Sequence, residues 1–74
     1  MKLGLYRHYK GKYYQLIGIA KHSETLEELA TYYCLYPNKT SQLWVRPLKM
    51  FRKQIKVGGK NVKRFQYITS EEMD

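Results

Sequence analysis

The sequence is poor in cysteine, proline and acidic residues, with one, two and six in 74 positions. The lone thiol, Cys34, excludes an intrachain disulfide and a zinc site built from several thiolates. No apolar run approaches the roughly 20 residues of a membrane-spanning helix, and the first residues lack the apolar core of a signal peptide. The sequence therefore predicts a cytoplasmic protein in a reducing compartment, with no membrane partner.

The short length limits what the chain can build. A domain of this size buries only about 60% of the surface that its unfolded chain exposes, so a deep catalytic cleft is not expected. Eight tyrosines can still supply a core, since each aromatic ring buries on the order of 150–250 Å². Small domains also gain apolar burial by self-association, and the sequence leaves a monomer and a weak homodimer open.

The few acids are confined to residues 24–28 and 71–74, whereas eight of the 14 basic residues lie between Arg46 and Arg64. With a net charge of +8, such a basic half attracts polyanions, including RNA and DNA. A solvated face that keeps a small protein soluble has the same composition. The candidate basic surface consists of Lys49, Arg52, Lys53, Lys56, Lys60, Lys63 and Arg64.

Aromatic and β-branched runs separated by turn formers predict strands at residues 5–9, 13–20, 29–36, 42–46, 53–57 and 61–67. Alternation along the second run places Tyr13, Gln15, Ile17 and Ile19 on one face. Thr25 and Glu28 have capping-box spacing, which predicts one helical turn, and Pro47 should leave the sheet in a 3₁₀ turn. We expect an all-β, small SH3-like antiparallel barrel of five to six strands over residues 1–70, followed by an acidic disordered tail at 71–74. An OB-like barrel is the structural alternative.

Three motifs carry a resemblance to a known family. They are LYRHYKG at residues 5–11, GIAKHSETLE at 18–27 and LWVRPL at 43–48, with Met50-Phe51, Val62 and Arg64-Phe65 completing the match. On these residues the chain resembles the bacterial proteins of domain of unknown function family 1653. The resemblance implies a small SH3-type barrel without an established activity, and it transfers no catalytic residue.

Residues 22–25 combine an imidazole, two hydroxyls and a carboxylate, as a hydrolase would. A nucleophile and its base must meet at about 2.6–3.2 Å, and adjacent residues in a tight turn point apart. Capping of the turn by Ser23 or Thr25 is the more usual role of such residues. A metal site would need His8 to approach His22 beside a glutamate. A histidine bonded to a backbone carbonyl is the more usual arrangement, so we expect no catalytic residue, metal or cofactor.

The chain has more aromatic rings than one small core accommodates, so some should line a groove that binds a ligand. The candidate groove residues are His8, Tyr13, His22, Ser23, Glu24, Glu27, Trp44 and Arg46. The first hypothesis is a non-catalytic binding module, an adaptor for an unknown protein or peptide. The second is binding of RNA or single-stranded nucleic acid by the basic surface. A small hydrolase or metal site at His22 and Glu24 ranks last.

Overall fold

The computed structural model describes residues 1–70, and the predicted acidic tail lies outside that part. Its strands are β1 (Gly4–His8), β2 (Tyr13–Lys21), β3 (Glu28–Cys34), β4 (Leu43–Pro47), β5 (Gln54–Val57), β6 (Lys60–Lys63) and β7 (Phe65–Thr69). A four-residue helix, α1 (Leu48–Phe51), joins β4 to β5. No helix within residues 1–70 has the length and apolar character needed to span a membrane.

Five strands form one antiparallel sheet in the order β4-β3-β2-β1-β7. The pairing of β2 with β3 shifts in its middle. Leu16 pairs with Tyr32 and Gly18 with Thr31, which leaves Ile17 as an extra residue. A bulge of this kind moves every later side chain to the other face of the strand. The second half of β2 therefore faces the opposite side from the one that simple alternation predicts.

The predicted last strand is divided at Arg64 into β6 and β7. The Arg64 N–H donates to the carbonyl oxygen of Lys53 (3.1 Å), and the Tyr9 N–H donates to that of Arg64 (2.9 Å). β6 pairs with β5 around Gly58 and Gly59, whose φ values of 59° and 79° are those of a tight two-residue hairpin turn. The break at Arg64 frees β7 to leave this hairpin and join the main sheet.

Within residues 1–70 the first strand, β1, pairs with the last one, β7. The two backbones approach closely at Gly4, where a Cβ atom would collide with the carbonyl oxygen of Thr69. Gly4 also has a φ of 136°, which L side chains rarely adopt. A glycine is therefore required at this crossing.

Aromatic rings dominate the core on one side of the sheet. Phe51 and Phe65 stack with their centroids 4.1 Å apart. The Tyr32 and Phe65 centroids are 6.1 Å apart, although three interstrand steps of about 4.8 Å separate β3 from β7. The sheet must therefore curl around these rings. The buried core cluster is Tyr6, Leu16, Ala30, Tyr32, Phe51 and Phe65.

The antiparallel all-β fold with one short helical turn is confirmed. Residues 1–70 contain seven strands rather than five to six, because residues 61–67 are divided. The segment from Thr25 to Glu28 does not form a helix, since Glu28 already begins β3. The helical residues instead follow Pro47, where the sequence predicts a 3₁₀ turn.

Candidate functional site

His8 organises the turn between β1 and β2. Its Nδ1 atom accepts a hydrogen bond from the backbone N–H of Lys10 (3.2 Å). The imidazole centroid lies 4.5 Å from that of Tyr9 and 4.9 Å from that of Phe65. The turn therefore holds a half-buried imidazole between the core and a tyrosine exposed to solvent.

Cations lie over the rings at this end of the molecule. The distances from the cation to the ring centroid are 5.7 Å for Arg46 over Phe65, 5.8 Å for Lys10 over Tyr9 and 4.5 Å for Lys12 over Tyr36. All are within the range of about 6 Å at which a cation is attracted to a ring face. We define the aromatic-basic face as His8, Tyr9, Lys10, Lys12, Tyr14, Tyr36, Arg46, Arg64 and Phe65.

The cations also act on His8. Burial lowers the pKa of His8 most, and the positive charges of Arg46, Arg64 and Lys10 lower this pKa further. The neutral imidazole also agrees with the role of Nδ1 as an acceptor, which places the proton on Nε2. An anion bound at this face would offset the repulsion among these positive charges.

A pocket of about 200 Å³ shares several residues with the aromatic-basic face. The Trp44 indole N–H donates to the carbonyl oxygen of Ser41 (2.9 Å), which fixes the ring. The Tyr14 and Tyr36 rings meet edge to face at 5.6 Å, and their hydroxyl oxygens are 3.1 Å apart. We call this cavity the Trp44 pocket, and its lining residues are Tyr14, Tyr32, Cys34, Tyr36, Asn38, Trp44 and Arg46.

Polar groups of the Trp44 pocket are held in place by their neighbours. Asn38 Oδ1 accepts two backbone N–H groups of its own loop, at 2.9 and 3.4 Å, which leaves its NH₂ group 4.0 Å from Cys34 Sγ. Burial, followed by the hydrogen bond with Tyr36, raises the pKa of Tyr14, so its hydroxyl stays protonated at neutral pH. The pocket is therefore preformed, and among the described residues Arg46 is the only charged group that lines it.

The carboxylates of the described residues lie at the other end of the β2–β3 hairpin. Glu28 pairs with Lys21, seven residues along β2 from Tyr14, which at about 3.3 Å per residue is a separation of roughly 20 Å. Glu27 Oε2 lies 3.6 Å from Lys49 Nζ at the same end. Positive charge at the aromatic-basic face is therefore not neutralised by these acids.

The loop from His22 to Glu27 is closed by hydrogen bonds among its own residues. His22 Nδ1 accepts the backbone N–H groups of Glu24 (3.1 Å) and Thr25 (3.3 Å). The His22 N–H donates to the carbonyl oxygen of Glu27 (2.8 Å), and the Leu26 N–H donates to that of His22 (2.9 Å). These groups close a tight turn in which Leu26 takes a φ of 62°.

The structure divides the predicted groove among three places. Trp44 and Arg46 line the Trp44 pocket, and His8 lies on the adjoining aromatic-basic face. The distant loop holds His22, Ser23, Glu24 and Glu27. Tyr13 is exposed on the other side of β2. His8 and His22 flank opposite ends of β2, so they do not share a centre with Glu24 or Glu27.

The predicted basic surface is likewise divided. Lys49 and Arg52 border a cleft with Glu27 and Glu28. The β5–β6 register places Lys56 and Lys63 on one face of the hairpin and Lys60 on the other, while Lys53 precedes β5 and Arg64 joins the aromatic-basic face. These residues do not form one continuous patch.

A cleft of about 540 Å³ continues from the aromatic-basic face. Tyr9 belongs to both, and Arg7 and Lys63 bring positive charge to the cleft. Its remaining lining residues are Gln54, Val57, Asn61, Val62 and Gln66. The rings and cations therefore extend beyond the Trp44 pocket on a longer surface.

Sequence reasoning missed the roles of Lys10, Lys12, Tyr36 and Asn38. Asn38 precedes Lys39 and Thr40 in a cluster of turn formers. The tendency of asparagine to close a turn with its own side chain is the sequence signal that could have identified its role. Tyr36 reaches the site through the register of β3 against β2, which no local pattern shows. Lys10 and Lys12 read as ordinary turn residues.

These observations define a small antiparallel all-β domain with rings and cations gathered at one end. The chain belongs to the family described as "Protein of unknown function (DUF1653)", whose model matches residues 4–67. It is similar to the crystal structure of a DUF1653 protein from Bordetella bronchiseptica, at 30% identity and a TM-score of 0.90. The match covers 100% of this chain and 95% of that one. No curated protein matches the chain.

Proposed function

We propose that the protein is a non-catalytic binding module that holds single-stranded nucleic acid, RNA foremost, on the aromatic-basic face. The observation that carries the proposal is the alternation of rings and cations at one end of a chain with a net charge of +8. Bases stack on aromatic rings and phosphates contact cations, and this face offers both together. Duplexes hide the faces of their bases, so the rings favour a single strand.

The path available to a strand supports the same proposal. Tyr9 connects the aromatic-basic face with the 540 Å³ cleft, where Arg7 and Lys63 supply further cations. A strand that follows this path meets the Tyr36 and Tyr9 rings together with the lysine ammonium groups that lie over them. Such a surface accommodates several nucleotides without reading their sequence.

A protein or peptide partner explains this surface less well. Methylated lysine and other cations bind aromatic cages, but Arg46 would repel them from the Trp44 pocket. An acidic peptide would satisfy the cations and leave the rings without stacking partners. The adaptor hypothesis also joined Trp44 to His22, which the structure holds at the opposite end of the β2–β3 hairpin.

Fluorescence anisotropy with labelled single-stranded RNA, single-stranded DNA and duplex probes of equal length tests the proposal. We expect tighter binding of single strands that persists near physiological salt. The logarithm of the affinity should fall with the logarithm of salt concentration by about 0.7 per phosphate contact. Binding confined to low salt and equal for all probes would show general attraction of polyanions and contradict the proposal.

Two double variants locate the surface. Lys10→Glu with Lys12→Glu, and Lys56→Glu with Lys60→Glu, each lower the net charge from +8 to +4. The first pair should weaken single-strand binding at least about ten-fold more than the second, since only the first faces the rings. Equal losses would overturn the assignment of the face. Oligoglutamate of matched charge that binds as tightly as RNA would favour a protein partner instead.

A further inference from the structure

We infer that the Trp44 pocket takes one unstacked base with hydrogen-bond acceptors on a single edge, guanine above all. The inference rests on the proposed function, because the aromatic-basic face brings the strand to the pocket. It goes further by assigning a base preference to a protein whose other contacts are with phosphates and ring faces.

The walls of the pocket suit a flat ligand. Tyr14, Tyr36 and Trp44 line a space of about 200 Å³. The Trp44 N–H is already bonded to Ser41, so the face of the indole, rather than its edge, remains for a ligand. Stacking on such rings tolerates every base, and discrimination must come from the polar groups.

These polar groups are predominantly donors. Within residues 1–70 the Arg46 guanidinium has no hydrogen-bond or carboxylate partner and lies over the Phe65 ring. The Asn38 oxygen is occupied by backbone N–H groups, while its NH₂ group lies on the Cys34 side of the pocket. Tyr14 and Tyr36 use one O–H between them, which leaves the other as a donor. The edge of a bound base would therefore meet N–H and O–H groups.

On the edge that faces the major groove in a duplex, guanine is the base that fits a donor-lined pocket with an arginine. Its O6 and N7 atoms are two acceptors on one edge, and the guanidinium fork matches both. Adenine and cytosine present an amino group on the same edge, which would face the Arg46 donors. Uracil offers one acceptor there, O4, and should rank between guanine and the amino bases.

Four nine-nucleotide RNAs test the inference. They consist of cytidines except at the central position, which carries guanine, adenine, uracil or cytosine. Trp44 is the single tryptophan of the chain, so its fluorescence reports occupation of the pocket directly. The guanine probe should bind about ten-fold more tightly than the adenine or cytosine probe and quench Trp44. Replacing the guanine by 7-deazaguanine removes N7 alone and should abolish most of this preference.

The variant Arg46→Lys keeps the charge and removes the fork. It should lose the guanine preference, so that the guanine and all-cytidine probes bind with about equal affinity. Lys12→Gln, outside the pocket, should weaken all four probes and leave the preference intact. If all four probes bind equally and leave Trp44 unquenched, the pocket assignment is overturned and the proposed function stands. If none binds near physiological salt, both are overturned.

Discussion

His8 and His22 close the turns at opposite ends of β2 with the same hydrogen bond. Each Nδ1 atom accepts the backbone N–H two residues ahead, that of Lys10 for His8 and of Glu24 for His22. His8 lies against Phe65 among cations, whereas His22 is exposed in a loop that bears carboxylates. The motif richest in reactive residue types thus serves a turn, and a better ligand surface arises where rings and cations from several elements meet.

The largest difference between the two ends of β2 should appear in how much their residues contribute to the free energy of unfolding. Phe51 is fully buried and stacks on Phe65 beneath His8, so Phe51→Ala should lower the free energy of unfolding by about 3–5 kcal/mol. Leu26 in the distant loop is 65% exposed, and Leu26→Ala should stay within about 0.5 kcal/mol. Urea denaturation of both variants measures the difference. Similar losses would show that the loop, too, belongs to the cooperative core.

The next largest difference should lie between the effects of replacing His8 and His22. His8→Ala loses a turn acceptor and three ring contacts and should cost about 2–3 kcal/mol, whereas His22→Ala loses the acceptor alone and should cost about 1 kcal/mol. Asn supplies an acceptor at a similar place, so His22→Asn should recover most of that loss. Anisotropy with single-stranded RNA should show weaker binding for His8→Ala only. A loss of affinity in His22→Ala would contradict the proposed separation of the ends.

A smaller effect, a gain in stability, is expected from a substitution in the loop from His22 to Glu27. Leu26 has a φ of 62°, a conformation that costs side-chain-bearing residues roughly 1–2 kcal/mol and glycine little. Leu26→Gly should therefore stabilise the protein by up to about 1 kcal/mol, after the added flexibility of the unfolded chain is included. Thermal denaturation checks the sign, with Leu26→Ala as the matched control. Destabilisation by glycine would show that the leucine side chain contributes contacts that outweigh the strain.

The smallest expected difference concerns pH. The pKa of His8 in the folded protein lies below the value of about 6.5 expected for the unfolded chain, because of burial and of Arg46, Arg64 and Lys10. Between these two values the unfolded chain binds more protons, so stability is full above about pH 7 and falls as the pH drops through this window. Urea midpoints across that range should fall for the original protein, and fall less for His8→Asn. An identical fall in both would assign the effect to other groups.

Much of the fold could be predicted because local chemistry determines it. Alternating apolar residues and the clusters at residues 10–12, 37–41 and 58–60 located most strand ends within one or two residues. The bulge at Ile17 and the break at Arg64 could not be found this way. Arg64 is held by hydrogen bonds to Lys53 and Tyr9, and the second of these partners lies far away in the sequence.

The candidate site was predictable only in part. Trp44, Arg46 and His8 could be predicted as site residues from their type alone, because aromatic rings and arginines are candidate binding residues wherever they occur. Their separation from His22 depends on the length of β2, which sets the two turns far apart. The expectation that each histidine bonds to a backbone carbonyl was also wrong, because the Nδ1 atoms of His8 and His22 accept backbone N–H groups instead.

The pairing of β1 with β7 has a consequence for how the chain folds during synthesis. Of the two partners of β1, β2 is synthesised soon after it, whereas β7 is complete only when residues 65–69 have been made. Phe65, which the core requires, arrives with that last strand. Until then, residues 4–64 leave one edge of β1 unpaired, and contacts between segments so distant in the sequence form slowly. The fold should therefore be completed only after β7 has been synthesised.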